Sequence, residues 1–331
     1  MKDRFIAFGF PVSKCAQHKS LFHKLCRKSI IQTWNRKWSF ALIVADKRTS
    51  PVAQRVMDIT NDTEALERLA DLLACPNCRN SLVSRNNRSF ICLNCYRTFF
   101  QDPYAGYFNL CLDKLSSYRP IQQELFRNPV TSFLYERGWR NNFQTMGYPL
   151  KEEVRLVTEY FQTYPKEPEV LVDLSCGTGY VTRRLAKTRK YSRIVGIDLS
   201  ESMLKEAYRR MLLEEGCDPF TLIRANVDSL PLRDNVVDLI YCGAALHCWP
   251  KVQDGLAEMY RILKPDALVF ATTFISNYSP LISRWNAYRF FTKKELEWLL
   301  KSRGFRQVQV QILKSPSILQ FVQSAIIRCC K

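Results

Sequence analysis

From about residue 150 the chain alternates two kinds of segment. Val170-Leu-Val-Asp-Leu174 is a short apolar run ending in a glycine turn, and Tyr180 to Lys187 after it has helical spacing. Ile194-Val-Gly-Ile-Asp198 is a second such run, followed by a helical pattern over 201–214. Then come Thr221-Leu-Ile223, Val236 to Tyr241, a helix over 251–263 and the strand Ala267 to Thr272. Continuous apolar strands alternating with helices predict a parallel sheet covered on both faces. Upstream, 51–74 turns acidic and helical. Thr63 can cap that helix, and Leu66, Leu69, Leu72 and Leu73 share one face. Residues 101–149 read as a helical connector leading to the α/β domain at 150–325. No internal repeat and no low-complexity tract stands out.

Residues 1–50 show neither period, and here composition changes the picture. The chain of 331 residues carries a net charge of +18. Residues 1–50 hold eleven Lys/Arg against two acids, and 269–331 hold ten against two. The stretch 51–268 between them is close to neutral. A basic, serine-rich, acid-poor arm is the composition of a disordered organelle transit peptide. The alternative is a basic arm that stays attached and touches nucleic acid or anionic lipid. No apolar run approaches the roughly 18 residues that span a bilayer.

Thirteen cysteines are spread along the chain, and four of them have metal-ligand spacing. Cys75-Pro-Asn-Cys78 and Cys92-Leu-Asn-Cys95 form C-x2-C-x13-C-x2-C, with Asn86-Asn87 centred in a stretch able to fold as a hairpin. Four thiolates complete a tetrahedral Zn²⁺ and leave no open position, so the expected site at 75–100 is a structural zinc ribbon. Free or redox-active thiols are the other reading. Arg79, Arg85, Arg88 and Arg97, with Phe90, Tyr96, Phe99 and Phe100, suit either RNA contact or packing against the α/β domain.

Asp173-Leu-Ser-Cys-Gly-Thr-Gly179 ends the first strand of that domain and opens a helix. Gly177 and Gly179 let the backbone turn tightly and approach a ligand. Asp198 ends the second strand, where a carboxylate can accept ribose hydroxyls. Asn226 and Asp228, in Ala225-Asn-Val-Asp-Ser-Leu-Pro, follow the third, where Asp228 can face an adenine amino group. Each aspartate taken singly also suits a helix cap.

In motif order and spacing, residues 150–274 resemble class I S-adenosylmethionine-dependent methyltransferases of the ubiquinone/menaquinone-biosynthesis-like type. Gly243-Ala-Ala-Leu-His-Cys-Trp-Pro250 narrows the resemblance to plant plastid methyltransferases that join this domain to an N-terminal CxxC ribbon. The resemblance implies a seven-stranded, doubly wound sheet with its final strand antiparallel. It implies that Asp173, Gly177 and Gly179 surround the methionyl part of S-adenosylmethionine, Asp198 its ribose and Asp228 its adenine. Two positions depart from the pattern: Ser175 replaces the first glycine of the loop, and Asp266-Ala267 replaces a Gly-Gly turn before strand five.

Methyl transfer from a sulfonium needs donor and acceptor held in line, and a base only where the acceptor must lose a proton. His247, the one histidine outside the N-terminal arm, is the candidate base or substrate contact; packing at the strand end is the alternative. Cys242 and Cys248 read as small pocket-lining groups, and Tyr241 and Trp249 as walls. The segment 275–291, with Tyr278, Trp285, Tyr288, Phe290 and Phe291, suggests a lid over an apolar acceptor, or the closing of the core above the sheet.

Three functions remain open at this stage. The first is methylation of a small or lipophilic, quinone-like acceptor in the chloroplast, near a lipid surface such as a plastoglobule. The second is ribosomal-RNA base methylation through the ribbon, which the near-neutral centre disfavours and the basic C-terminal end keeps in play. The third is a non-catalytic binding protein on the same fold.

Overall fold

The runs predicted as strands pair side by side in a computed structural model. It describes residues 63–86, 88–112, 148, 152–276, 289–314 and 322–331. The proposed transit peptide and the lid centre at 277–288 lie outside the described residues. Everything described belongs to one unit, Asp58–Lys331.

The N-terminal module comprises α1 (Thr63–Ala70), the hairpin β1 (Leu82–Asn86) and β2 (Ser89–Cys92), β3 (Thr98–Phe100) and β4 (Phe108–Asn109). The first three strands form an antiparallel sheet, turning at Asn86 as the spacing predicts. The α/β domain then runs α2 (Glu153–Phe161), β5 (Val170–Leu174), α3 (Tyr180–Ala186), β6 (Arg193–Asp198), α4 (Glu201–Leu213), β7 (Thr221–Arg224) and β8 (Val237–Cys242). It continues through α5 (Val252–Ile262), β9 (Leu263–Ile275), α6 (Lys293–Ser302), β10 (Arg306–Ile312) and β11 (Gln323–Cys330).

The large sheet has the order β10-β11-β9-β8-β5-β6-β7-β4. Seven strands match the expected doubly wound arrangement, and β11 is the one that runs against its neighbours. The eighth corrects the helical reading of 101–149. Phe108 and Asn109 pair in parallel with Ile223 and Arg224, so this part of the connector is sheet edge. The winding reverses at β5, which places a crevice beyond its carboxyl end, where ligands of such sheets sit.

Side chains alternate between two cores along each strand. Leu171, Leu222, Leu239 and Phe270 pack with α2, α3 and α4. Val172, Ile223, Ile240 and Val269 pack with α5 and α6. The β7–β8 connection, 225–236, contains no helix to cover this second face. Leu66, Leu69, Leu72, Leu73, Phe90 and Phe99 fill that place, joining the same core. Of the ribbon residues singled out in the sequence, Phe90 and Phe99 pack against the domain, whereas Arg85, Arg88, Arg97, Tyr96 and Phe100 are exposed.

Candidate functional site

The chain leaves β5 through Ser175 to Gly179, and three of those five residues are left-handed: Ser175 (φ 63), Gly177 (φ 55) and Gly179 (φ 69). This tight winding turns backbone N–H groups toward the neighbouring strand. Gly177 N–H donates to Asp198 Oδ2 at 2.8 Å, and Cys176 N–H to the Ile197 carbonyl at 3.0 Å. The other carboxylate oxygen of Asp198 accepts Ser200 N–H at 2.8 Å, and the Ser200 hydroxyl caps α4. One carboxylate at the end of β6 therefore fixes both the glycine loop and the start of the next helix. A Cβ built on Gly177 would meet no atom within 4 Å, so the loop is an open backbone cradle on that side. Asp173 lies buried beneath it and accepts the Thr182 hydroxyl.

Both departures from the glycine pattern are absorbed locally. A left-handed residue with a Cβ costs about 1 kcal/mol, and Ser175 has a compensating contact: Trp249 Nε1–H donates to its hydroxyl at 3.1 Å. Asp266 likewise takes φ 63, with its backbone N–H on the Lys331 carbonyl and its carboxylate 2.7 Å from Arg306. The turn keeps the geometry that glycine normally supplies.

Asn226 and Asp228 follow β7 and are half-buried. Burial raises the Asp228 carboxyl, against the pull of Lys251. Burial also raises Asp198, opposed by the N–H groups of Ser200, Gly177 and Leu199. Asp173, Ser175, Gly177, Gly179, Asp198, Asn226 and Asp228 thus gather at the carboxyl ends of β5, β6 and β7. This geometry fits a nucleoside with a charged tail: an open cradle, then carboxylates spaced outward along the sheet.

A second polar group sits at the seam of β8 and β9, and sequence reading missed most of it. Glu153, fully buried at the start of α2, accepts the hydroxyls of Tyr148 and Tyr241. Tyr148 also contacts the Thr272 hydroxyl, which accepts Ala244 N–H at 2.9 Å. A Cβ on Gly243 would overlap the Tyr241 hydroxyl, so glycine is required here by close approach. Gly243→Ala is expected to push Tyr241 off Glu153 and cost about 2–3 kcal/mol, seen as a lowered melting temperature.

His247, in the 3-10 turn after β8, is buried. Its Nδ1 lies 3.3 Å from the Thr273 hydroxyl and its ring is edge-on to Phe274. Burial pushes its pKa down to about 3, so the folded ring is neutral across the physiological range and is better suited to hydrogen bonding than to accepting a proton. The unfolded ring titrates near 6.5. Between about 3 and 6.5 the unfolded chain therefore binds the extra proton, and stability present above that window is lost as pH falls through it. His247→Phe should remove about 2 kcal/mol of the stability lost between pH 7 and pH 5, measured by melting at both values. Cys242 and Cys248 are thiols that burial pushes upward, the latter to about 12, consistent with inert lining groups.

The four ribbon cysteines converge, with all sulfurs within 4.8 Å of one another. Cys75 and Cys95 Sγ are 3.6 Å apart, and Cys78 and Cys92 Sγ 3.4 Å. A tetrahedral zinc with Zn–S near 2.3 Å puts sulfurs about 3.8 Å apart, so the donor set fits. Each CxxC turn is built the same way. Arg79 N–H returns to the Cys75 carbonyl and Tyr96 N–H to the Cys92 carbonyl, both at 2.8 Å, with Arg79 (φ 66) and Tyr96 (φ 55) left-handed. The N–H of Asn80 pulls the Cys78 thiol down to about 6, and that of Arg97 lowers Cys95.

A methyltransferase domain family matches residues 172–271. Two uncharacterized chloroplastic methyltransferases of Arabidopsis thaliana are similar to the chain. One is 36% identical over 66% of this chain and 66% of its own length; the other is 33% identical over 70% and 73%. A demethylmenaquinone methyltransferase of Lactiplantibacillus plantarum is 37% identical over 37% of this chain and 52% of its own. Among solved structures, a Haemonchus contortus phosphoethanolamine N-methyltransferase bound to S-adenosylhomocysteine superposes with a TM-score of 0.54. It is 17% identical and covers 66% of this chain and 61% of its own.

Proposed function

Because the chain belongs to the class I S-adenosylmethionine-dependent methyltransferases, we propose that it methylates a small apolar ring acceptor of quinone type, inside the plastid. The observation that carries the cofactor side is the glycine loop closed on Asp198 at the switch point of the sheet. When bound, S-adenosylmethionine supplies an electrophilic methyl and its own leaving group, leaving the protein to bind and align. The cradle at Gly177 and Gly179 takes the methionyl end, Asp198 accepts from the ribose hydroxyls, and Asp228 with Asn226 meets the adenine edge.

The acceptor side lies at the β8/β9 seam. Tyr241, Phe274, Phe290 and His247 give it aromatic walls, with His247 and Phe290 rings parallel at 6.5 Å, while Trp249 turns to the glycine loop instead. The Tyr148–Glu153–Tyr241 group lies buried behind this seam as a closed hydrogen-bonded set that fixes the Tyr241 ring. The bacterial relative's demethylmenaquinone activity and the aromatic walls support a ring acceptor. The chloroplastic relatives and the arm at 1–50 support import, and in this reading the enzyme works at a lipid surface such as the plastoglobule. The four thiolates hold a structural zinc.

RNA methylation keeps part of its ribbon argument: Arg79 is engaged within the fold and Phe90 and Phe99 are buried, while Arg85, Arg88, Arg97, Tyr96 and Phe100 are exposed, and the near-neutral centre of the chain still weighs against it. Against the non-catalytic reading, the two departures from the glycine pattern, Ser175 and Asp266, keep the left-handed backbone that glycine supplies. Incubation with methyl-labelled cofactor and separate plastid lipid, RNA and protein fractions tests the acceptor. Label in the lipid extract supports the quinone class; label confined to RNA or protein overturns it.

A further inference from the structure

The loop that carries Asn226 and Asp228 is held at both ends by the N-terminal module. Before it, Leu110 N–H donates to the Arg224 carbonyl at 3.0 Å, and Arg224 Nη1 reaches Asn109 Oδ1 at 3.3 Å. After it, the segment 72–79 lies along 229–233. The Ser229 hydroxyl donates to the carbonyl of Pro76, inside the first CxxC turn, at 3.1 Å. Ala74 N–H donates to the Pro231 carbonyl and Arg233 N–H to the Leu72 carbonyl.

Arg79 completes the hold. It directly follows Cys78, and its left-handed backbone is set by the turn that gathers the sulfurs. Its Nη1 donates to the Leu230 carbonyl and to Glu258 Oε2, both at 2.9 Å. The same Glu258 oxygen accepts Leu230 N–H at 2.8 Å. Leu230 is therefore gripped through both backbone polar groups: Glu258 takes its N–H, and its carbonyl is shared between Arg79, which the cysteine turn aims, and Arg261 Nη2 at 3.0 Å, which also holds Glu258. Burial alone would raise Glu258, yet Arg261 and Arg79 hold its carboxyl below the usual range. Inward from the loop, Val227 and the Trp249 ring both lie against Gly255, and Trp249 holds Ser175 of the glycine loop.

We propose that the four-cysteine metal site sets cofactor affinity, with Arg79 as the positioning residue that transmits the metal-bound shape of the first CxxC turn to the adenine-side loop. The proposal rests on the cofactor reading above, because that reading places Asn226 and Asp228 against the adenine. With metal bound, the turn keeps its left-handed exit and Arg79 keeps Leu230 in place. Without it, the sulfurs lose their common centre and the loop loses the Arg79 share of its hold on Leu230, leaving Arg261 alone on that carbonyl.

The test uses the full chain with metal content measured by elemental analysis. Arg79→Ala keeps all four cysteines, so it is expected to retain its zinc while the Kd for S-adenosylhomocysteine rises about tenfold by calorimetry. Arg79→Lys should restore part of the loss, and Arg85→Ala, on the exposed hairpin, should change nothing. Chelation of the unaltered chain should weaken binding at least as much as Arg79→Ala, and chelation of Arg79→Ala should add little. Amide hydrogen exchange at 226–230 should quicken in Arg79→Ala, a readout independent of the cofactor. Unchanged Kd and unchanged exchange in Arg79→Ala overturn the proposal. Quickened exchange with no binding even by the unaltered, metal-loaded chain overturns the cofactor reading and, with it, the affinity claim, while leaving the physical clamp demonstrated.

Discussion

Asp198→Asn is expected to weaken S-adenosylhomocysteine binding about 100-fold, close to 2.7 kcal/mol, while the melting temperature moves by only a few degrees. The carboxylate accepts two backbone N–H groups from opposite sides, Gly177 and Ser200. An asparagine has one carbonyl oxygen, so it can satisfy one of them and must turn an NH₂ toward the other. The glycine loop then loses its closure, and the ribose hydroxyls lose a charged acceptor, a bond class worth about 1.5–3 kcal/mol. Stability moves differently, because burial raises this carboxyl above its ordinary value. Just above that ordinary value, 3.8, the folded chain holds more protons at Asp198 than the unfolded one, so the ionised group costs stability as pH rises through the folded pKa. Removing the charge relieves that cost and offsets part of the lost hydrogen bonding. Binding needs the ionised form and should weaken as pH falls through the same range. Calorimetry and melting on one variant separate the two effects; an unaltered Kd would remove Asp198 from the ribose.

Cys75→Ser should abolish stoichiometric metal binding and lower the melting temperature by about 10 °C. Cys75 and Cys92 are both fully buried within the core that the ribbon shares with β5, β8 and α5. Metal binding in such a small module is part of its folding free energy. Losing it loosens Leu82, Phe90 and Phe99 as well as the sulfur site, a disturbance on the order of 3–5 kcal/mol. For a domain of this size each kcal/mol shifts the transition by about 2–4 °C. One zinc per chain in Cys75→Ser would refute the four-sulfur site. A lost metal with an unshifted transition would mean that the ribbon adds nothing to the stability of the domain.

The parts of this fold that were legible are those where local pattern and final environment agree. β5, β6 and β8 read as continuous apolar runs because both their faces are covered, and Leu66, Leu69, Leu72 and Leu73 share a stripe because they pack on one core. The hairpin was readable from the cysteine spacing together with Asn86-Asn87 at its centre, and both CxxC turns from the spacing itself. β4 was not, since two residues carry no period and Phe108 becomes a strand only by pairing with Ile223. Glu153 was not, because a glutamate at the start of an amphipathic helix looks solvated; only the tyrosines from residues 148 and 241 reveal it as a core group. Arg79 and Glu258 stand 179 residues apart, and no local signal joins them. His247 was visible as a residue but its protonation was not, because burial is what sets it.

β4 has a practical consequence for handling the protein. Its two residues cover the outer edge of β7, whose N–H and C=O groups would otherwise be open to another strand. The opposite edge needs no such cover: β10 presents Arg306, Gln307, Gln309 and Gln311 along a strand broken by a bulge. An expression boundary drawn at the start of the α/β domain would therefore strip one margin of the sheet and leave a sticky seam beside an uncovered apolar face. Preparations beginning ahead of Thr63 keep that margin closed, and on this account they should stay monodisperse where the shorter ones aggregate.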